Sequence, residues 1–591
     1  MNHIKHHRML LAMLLAALLA DAAVTEVHDD SIAAGDSVVW STGDTLLLME
    51  TVFIDSGAAL YIEPGVVVRA VETPAQGTAV CLVVARHGRI WAEGTAEQPI
   101  IFTAENEDLT NPTMSEDEYG LWGGVAILGN AVMNRSTTGG TGVFAPASAT
   151  DPRAAYGGDD DMDCSGRIAY VSIRFAGAAD YESEDNEDRF DDQFQPAAIA
   201  FCAVGSGTEV HHVEAYNGLD DGFRFRGGTV NTSYLVAMGC MDNAFDTDEG
   251  YRGHGQFWFG THRTDMLRTG DEIALHHGGI YDYTQPPFSL PVIANATYVT
   301  DGLIRFVEFD RNSGGLYLNS VFYHGGGVNV LPTAFGALDS GLIDIRNSAF
   351  GKAVGPGTTL EWLDFAIGQN IQDMLKNGDN EIVEPEFVDF VGSYLRTPRE
   401  RIDLRTGADG TNWGTLWLAE VADTSFLKQA CYRGAFDPTQ PFWPLGWTAT
   451  DYYGFLNQEG SAPLTELLPC NPDSCDTCCG CGTECPSGAT CCIDTCPTGV
   501  QSSPQARGAL KPGVVVAGDH LVASYTVNVP GHVRVVLYDL VGRPAVVLAE
   551  GFMDKGHYRR SVALKNLASG SYVCRMSTPG RTQSYQVPVW R

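Results

Sequence analysis

A repeat in the middle of the chain constrains its fold more than any other sequence feature. Phe201, Phe223 and Phe245 follow one another at intervals of 22 residues. The same interval aligns three more sets: Ala203, Phe225 and Thr247; Val213, Leu235 and Phe257; and Ala215, Ala237 and Phe259. Apolar and polar residues alternate within each run, which is the period-2 pattern of β-strands. A coil this short cannot bury its inner face alone, so stacked coils have to supply the core.

Other segments have the same character and extend the array. Asn319 and Asn347 occupy equivalent places in two similar runs and are expected to stack at a turn, where asparagine tolerates left-handed backbone. The similar runs and two earlier strand–turn–strand segments are residues 316–322, 343–350, 60–68 and 88–94. We therefore predict an all-β fold: a right-handed parallel β-helix over residues 23–455, followed by a small C-terminal antiparallel β-sandwich over residues 512–591.

Two segments near the end of the array differ from the coils. Residues 358–377 have helical spacing and predict a short amphipathic helix on the flank of the solenoid. Residues 431–448 are dense in aromatic residues and prolines, which is typical of a cap over the last coil. Trp443 and Trp447 in this stretch admit two interpretations, buried packing residues or a platform for carbohydrate.

Charge narrows the range of partners. The chain carries 73 acidic and 37 basic residues, a net charge of −36. Such a charge argues against nucleic acid or an anionic membrane surface as a partner, and it favours cations. No later stretch is long and apolar enough to predict a transmembrane segment.

The N-terminus has the three parts of an export signal. Residues 1–8 are basic, residues 9–20 form an apolar run too short to anchor in a bilayer, and Ala20 and Ala22 are small. We expect a signal peptide over residues 1–22 and export into the oxidising periplasm. The mature protein is then expected at the outer-membrane surface or outside the cell.

Nine of the 15 cysteines lie within 27 residues, in a stretch rich in Pro, Gly, Ser and Thr. They are Cys470, Cys475, Cys478, Cys479, Cys481, Cys485, Cys491, Cys492 and Cys496. Zinc and disulfides are both compatible with this spacing, but no histidine joins the cluster and the expected compartment is oxidising. We predict a disulfide-stapled linker over residues 456–511. The odd total leaves at least one thiol unpaired or paired between chains.

Several phrases of the β-helix region resemble the large secreted, pectate-lyase-like β-helix proteins of Bacteroidetes-type bacteria. These phrases are residues 60–65, 122–129, 156–160, 220–223, 245–248 and 432–436, and the resemblance covers roughly residues 40 to 450. It implies the fold and an extracellular location. It does not imply one activity, because a fold hosts many functions.

The C-terminal region is similar to the type A sorting domain of the type IX secretion system. The residues that carry the similarity are Tyr538, Asp539, Gly542, Arg543, Gly556, Gly570 and Tyr572. The resemblance implies passage through the outer membrane by the type IX machinery, then release or attachment to surface lipopolysaccharide. The ending Val589-Trp590-Arg591 departs from the more lysine-like tail expected of the family.

Acidic residues at the coil turns suggest a cation site. Asp242 is expected to stack on Asp220 one coil earlier, and Asn243 on Asp221. Neighbouring strands lie about 4.8 Å apart, so the stacked carboxylates repel unless a cation or a donor separates them. Oxygen-rich clusters suit calcium. The alternative is that these residues form Asx turns at strand ends, with their carboxylates in water.

Two further pairs of charges are expected on adjacent strands. Arg224 should lie over Asp246, and Arg226 over Asp248, on the outward side of the coils. We interpret them as exposed structural ladders, in which opposite charges contribute a few tenths to about 1 kcal/mol per pair.

Two functions from different classes fit these features. The first is a non-catalytic scaffold for glycan binding, adhesion or matrix formation. The second is a calcium-dependent polysaccharide lyase or a glycoside hydrolase, with Asp242, Arg252 and His254 as the candidate catalytic residues. A cleft lined by Asp220, Asp242, Arg252 and His254 would favour the enzyme, whereas separation of these residues along the flank would favour the scaffold.

Overall fold

A computed structural model describes the chain in segments. They are residues 24–72, 79–111, 114, 118–135, 140–148, 150–178, 197–262, 272–278, 284–300, 304–351, 366, 368–383, 387–390, 402–406, 425–430, 432–438, 440–457, 513–517, 520–527, 531–539, 544–553, 556–563, 567, 570–578 and 581–589. The predicted signal peptide and the cysteine cluster of residues 470–496 lie outside these segments.

Short strands follow one another along the first part of the chain because apolar and polar residues alternate. They are β1 (Val24–Val27), β2 (Ser37–Trp40), β3 (Thr45–Leu48), β4 (Val52–Ile54), β5 (Ala59–Ile62), β6 (Val67–Ala70), β7 (Cys81–Val84), β8 (Arg89–Glu93), β9 (Ile100–Ala104), β10 (Gly124–Leu128), β11 (Gly142–Val143), β12 (Ala155–Tyr156), β13 (Gly166–Arg174), β14 (Ala197–Cys202), β15 (Glu209–Tyr216), β16 (Asp221–Arg226), β17 (Asn231–Cys240), β18 (Phe245–Asp248), β19 (His254–His262), β20 (Glu272–His277), β21 (Val292–Ala294), β22 (Thr297–Val299), β23 (Arg305–Asp310), β24 (Gly315–Leu318), β25 (Val321–Tyr323), β26 (Val328–Val330), β27 (Ile343–Arg346), β28 (Ala349–Gly351), β29 (Glu381–Ile382), β30 (Phe387–Phe390) and β31 (Ile402–Thr406).

These strands stack into a parallel β-helix with three faces. The first face runs through β2, β5 and β8 and continues along the first halves of β13, β15, β17 and β19. The second runs through β3, β6 and β9 and the second halves of those long strands. The third contains β4, β7, β10, β14, β16, β18, β20, β23 and β26. All these pairings are parallel, so the predicted β-helix is confirmed.

The first two faces meet at a corner made by one left-handed residue per coil. Asn295, Asn319 and Asn347 have φ of 53°, 54° and 49°, and Asn347 donates its side-chain N–H to Oδ1 of Asn319 at 3.0 Å. The predicted stacking of the last two is therefore observed. Earlier coils place bulky residues at the same corner, where a positive φ is unusual for large side chains. They are Tyr170, His212, Tyr234 and Phe257, and their rings stack at centroid distances of 4.3, 4.3 and 4.7 Å.

The interval of 22 residues holds for some coils and is wrong for others. Phe223 does pair with Phe245, but Phe201 pairs with Phe225 and not with Phe223, because that coil is two residues longer. Ala203 consequently does not align with Phe225.

A similar slip occurs one coil further on. Val213 pairs with Leu235 as predicted, but the partner of Leu235 is Trp258 rather than Phe257. Gly260, not Phe259, pairs with Ala237. Coils of a solenoid differ in turn length, and a one-residue difference moves every side chain of a strand to the opposite face.

The aromatic segment predicted as a cap lies along the side of the solenoid and not over its last coil. Residues 432–438 and 440–457, here called the flank cover, contact the corner over many coils. Asn295 donates to the carbonyl of Tyr432 at 2.8 Å, and Trp443 and Trp447 pack edge-on against His212. Trp447 is only 2% exposed, so the interpretation of it as a carbohydrate platform is wrong.

A buried carboxylate fixes the end of the flank cover. Glu214 on β15 is fully buried and accepts hydrogen bonds from the backbone N–H and the hydroxyl of Thr450, at 2.9 and 2.6 Å. These contacts hold the first turn of a short helix against the solenoid, because a carboxylate satisfies the free N–H groups there.

Helices are few among the described residues. They are α1 (Phe335–Asp339), α2 (Gln369–Asn377) and α3 (Ala449–Tyr452), with 3-10 turns at Asp29–Ile32, Pro152–Ala154 and Pro332–Ala334. Helix α2 confirms the second half of the predicted amphipathic helix, and its Ile371 and Leu375 are buried. None of the helices in the described segments is long and apolar enough to cross a membrane.

The C-terminal strands form two antiparallel sheets, as predicted. One contains β32 (Gly513–Ala517), β33 (His520–Val527) and β36 (Gly556–Ala563); the other contains β34 (Gly531–Asp539), β35 (Pro544–Met553), β37 (Gly570–Thr578) and β38 (Arg581–Val589). Apolar residues of both sheets share one core.

The residues of the predicted sorting motif lie mostly at strand ends of this unit. Tyr538 and Asp539 end β34, Gly556 begins β36, and Gly570 begins β37. Tyr572 is buried in the core. Gly542 and Arg543 lie outside the described residues.

Five of the dispersed cysteines can be placed, namely Cys81, Cys164, Cys202, Cys240 and Cys574. All five are free thiols, and all but Cys164 are buried. Burial raises the pKa of the Cys81 thiol to about 12, so this thiol behaves as a small apolar side chain.

The stacked corner predicts a pH dependence of stability. Burial, with smaller contributions from His211 and Lys428, lowers the pKa of His212 to about 3, against about 6.5 in the unfolded chain. The unfolded state therefore binds a proton first, and stability is lost as pH falls from 6.5 towards 3, by up to about 1.4 kcal/mol per pH unit. His212→Phe keeps an aromatic ring at the corner, as Phe257 does in another coil. Between pH 7 and pH 5, the free energy of unfolding of this variant should fall by roughly 2 kcal/mol less than that of the wild type. Equal losses in the two proteins, measured by denaturant titration, would contradict this account.

Candidate functional site

The three predicted calcium ligands do lie together. Asp220 and Asp221 stand at the start of β16, and Asp242 lies in the turn one coil later. One carboxylate oxygen from each lies within 4.8 Å of the others. Asp220 and Asp221 are buried, while Asp242 is half-buried at the rim.

Asp221 is already engaged by its own neighbours. Its Oδ1 accepts the backbone N–H of Asn243 at 3.1 Å, and its Oδ2 lies 2.9 Å from Nε of Arg224. Burial, together with the nearby carboxylates, raises the pKa of Asp221 well above its usual value, although Arg224 opposes the shift. The interpretation as a solvated Asx turn is therefore wrong for Asp221, which is buried and bonds the next coil. Asp242 is the member nearest to solvent.

A row of charges begins at Arg224 and follows the outward side of the third face. Arg224 pairs with Asp246 and Arg226 with Asp248, in the register that the sequence predicted. His277 on β20 continues the row, and we call these five residues the charge ladder. Arg224 donates to Oδ2 of Asp246 through Nε at 2.9 Å and through Nη2 at 2.7 Å. Nε of Arg226 is 4.0 Å from Oδ2 of Asp248.

The prediction that these charges are exposed is wrong. Arg226, Asp246 and Asp248 have no exposed surface, and Arg224 is 3% exposed. A covering layer reaches them from an earlier part of the chain: Arg135 donates to Glu249 at 2.6 Å, and the hydroxyl of Tyr156 to Glu249 at 3.1 Å. The charges face away from the apolar interior of the solenoid, but this layer excludes water from them.

The pKa values of the two aspartates in the ladder are shifted in opposite directions. Burial works to raise the pKa of Asp246, but Arg224 and His277 outweigh it and hold the pKa below its usual value. Burial and the adjacent Glu249 raise the pKa of Asp248 to about 7, because its positive neighbours are more distant.

Arg252 and His254 lie far from the acidic cluster. His254 begins β19 and its backbone N–H bonds the side chain of Asn231, the first residue of β17, at 2.8 Å. Asp242 follows the other end of β17. Arg252 is held by Asp161 at 2.9 Å and donates to the carbonyl of Val132 at 3.1 Å. The structure therefore does not bring Asp220, Asp242, Arg252 and His254 into one cleft.

A different feature on the first face is open to solvent. Tyr61 on β5 pairs in register with Trp91 on β8, and their rings are nearly parallel, 9° apart in plane and 6.4 Å apart in centroid. Tyr61 is 40% exposed and Trp91 is half-buried. We call these two residues the aromatic pair. The sequence indicates this pair, because Tyr61 and Trp91 alternate with the buried apolar residues of their strands and therefore point outward.

The row that contains the aromatic pair continues in both directions. Val39 precedes Tyr61 and is 53% exposed, and Arg167 follows Trp91. Arg167 lies 3.3 Å from a carboxylate oxygen of Glu93 and 3.4 Å from one of Glu209. Such part-exposed pairs contribute little to stability, so these side chains can rearrange around a ligand.

The ladder makes a clear prediction for stability. Arg224→Met should lower the free energy of unfolding by about 3–5 kcal/mol, because it leaves Asp221 and Asp246 buried without their cation. The matched control is Arg252→Met, which removes an ion pair whose members are 23% and 39% exposed and should cost about 1 kcal/mol or less. Chemical denaturation of the two variants measures the difference. Equal costs would mean that the ladder is not a buried network.

Comparison with known proteins agrees with the architecture. Residues 32–307 match the family model described as the pectate-lyase like beta helix domain. No curated protein matches the chain significantly. The match covers the acidic cluster, the charge ladder and the aromatic pair. Together with the stacked parallel strands, this match supports a pectate-lyase-like β-helix domain over residues 32–307.

Proposed function

We propose that this protein is an exported β-helix that holds a polysaccharide on the outward side of its first coils, as a surface adhesion or matrix scaffold. The observation that carries the proposal is the exposed aromatic pair on a rigid, pectate-lyase-like solenoid.

The chemistry of the aromatic pair suits a sugar. The face of an aromatic ring carries partial negative charge and attracts the positively polarised C–H groups of a pyranose. The ring planes of Tyr61 and Trp91 are nearly parallel, one coil apart, and Tyr61 is 40% exposed. Because stacked strands repeat at about 4.8 Å, the two rings form a preformed strip, and little conformational entropy is lost when a chain binds.

Charge selects among glycans. The net charge of −36 repels polyanions, and exposed Glu93 and Glu209 lie beside the aromatic pair. A neutral polysaccharide is therefore the favoured ligand at this strip. Anionic glycans, including the sugars of surface lipopolysaccharide, would need a bridging cation.

Export is part of the same proposal. The leader of residues 1–22 supports entry into the periplasm, and the similarity of residues 512–591 to a type IX sorting domain supports passage through the outer membrane. The cysteine-rich linker is proposed to stiffen the connection between the β-helix and this domain. Surface attachment and release are both compatible with the proposal.

Binding is proposed rather than cleavage because the predicted catalytic residues do not meet. Asp242 follows the last residue of β17, whereas His254 lies beside the first residue of that strand. Arg252 forms an ion pair with Asp161. General acid–base catalysis needs such groups within hydrogen-bond reach of one substrate.

The aromatic pair gives a direct test. Trp91→Ala in the full chain should weaken retention on a neutral polysaccharide by about tenfold or more, because it removes half of the strip. Phe335→Ala is the matched control: Phe335 is 46% exposed on α1, away from this row, and its loss should leave retention unchanged. Affinity electrophoresis on a panel of neutral and uronic-acid polysaccharides measures retention, and thermal unfolding confirms that both variants are folded.

Two outcomes would overturn the proposal. Equal retention of Trp91→Ala and wild type would remove the strip as the binding surface. Unsaturated products or new reducing ends from any polysaccharide in the panel would instead make the protein a lyase or a hydrolase.

Calcium binding at Asp220, Asp221 and Asp242 stays a prediction with its own test. If calcium binds there, it should raise the melting temperature of the wild type and of Trp91→Ala alike, and the shift should be lost in Asp242→Asn. Asp242 is the half-buried member, so its replacement by an amide should leave the fold intact. An undiminished calcium shift in Asp242→Asn would place calcium elsewhere.

A further inference from the structure

The charge ladder contains a second group of possible metal ligands, separate from the acidic cluster. Asp246 and Asp248 lie on β18, both on the outward side, and His277 lies on the adjacent strand β20. Ligand atoms of the three residues all lie within 4.8 Å of one another. We infer that Asp246, Asp248 and His277 bind one divalent transition-metal ion of the zinc class.

The distances between these atoms fit a metal better than direct hydrogen bonds. Nε2 of His277 is 3.4 Å from Oδ1 of Asp246 and 3.7 Å from Oδ2 of Asp248. Good N–H···O bonds are shorter, mostly about 2.7–3.2 Å. Zinc binds imidazole nitrogen and carboxylate oxygen at about 2.0–2.2 Å, which puts neighbouring ligands of a tetrahedron roughly 3.3–3.6 Å apart.

Asp248 supplies an independent reason to expect a ligand. It is fully buried, and within the described part of the chain neither of its carboxylate oxygens accepts a hydrogen bond. Oδ1 of Asp246, which faces His277, is also buried without one. Leaving such atoms unsatisfied is costly, and more so when the group is charged. An ion between the two aspartates and His277 would satisfy these oxygens together.

The two arginines leave room for this ion. Arg224 donates to Oδ2 of Asp246, so Oδ1 remains available to the metal. Carboxylates that bind metals are commonly oriented by such a hydrogen bond to a second partner. Arg226 is 4.0 Å from Asp248, too far for a hydrogen bond.

The donor set selects the metal class. Imidazole nitrogen suits zinc and its first-row neighbours, whereas calcium takes six to eight oxygen ligands. The site is closed to solvent, with His277 3% exposed. The ion therefore serves to tie β18 to β20 beneath the layer of Arg135 and Tyr156, and its removal should destabilise the third face.

Metal binding by the full chain tests the inference. The protein, made without a histidine tag, is stripped with chelator and titrated with Zn²⁺ and with Co²⁺, and bound metal is measured after dialysis. We expect the wild type to hold one more equivalent than His277→Gln or Asp248→Asn. His254→Gln, a half-buried histidine outside the cluster, is the matched control and should equal the wild type.

The cobalt spectrum separates this site from the nine clustered cysteines. Co²⁺ at Asp246, Asp248 and His277 should show ligand-field absorption without sulfur-to-cobalt charge transfer, and this absorption should be absent in His277→Gln. Zinc should also raise the melting temperature of the wild type and not that of Asp248→Asn. The inference fails if the wild type lacks the nitrogen–oxygen cobalt absorption, or if His277→Gln binds as much metal as the wild type.

Discussion

Parallel stacking at about 4.8 Å is the constraint on which the rest of the structure depends. It forces residues at equivalent positions of successive coils into contact, so each outward row becomes a ladder of like or complementary groups. Asn319 and Asn347 share a side-chain hydrogen bond, and Tyr61 and Trp91 align their rings. Stacking also places Arg224 against Asp246. One geometric rule thus produces a corner, an exposed aromatic strip and a charge ladder.

The surface of the solenoid is divided into covered and open rows. The flank cover protects the aromatic corner, and Glu214 fixes its end. The layer formed by Arg135 and Tyr156 excludes water from the charge ladder, where low dielectric strengthens each ion pair but makes any unsatisfied carboxylate costly. The row through Tyr61 has no such cover among the described residues, and its Val39 and Tyr61 are exposed.

The sequence predicted the features that depend on neighbouring coils. The pairing of Arg224 with Asp246 and the approach of Asp220 to Asp242 follow from the local repeat, and both are observed. The burial of the ladder could not be predicted, because its cover comes from residues about a hundred positions away: Tyr156 and Arg135 are 93 and 114 residues from Glu249. The place of His277 beside Asp246 could not be predicted either, because the coil between Thr247 and His276 is 29 residues long and breaks the period.

A crystal structure of the full chain with an oligosaccharide of the retained polysaccharide tests the central claim most directly. The account predicts sugar rings stacked over Tyr61 and Trp91, along the row between Val39 and Arg167. Sugar bound at the acidic cluster or beside His254, with the aromatic pair left open, would contradict it.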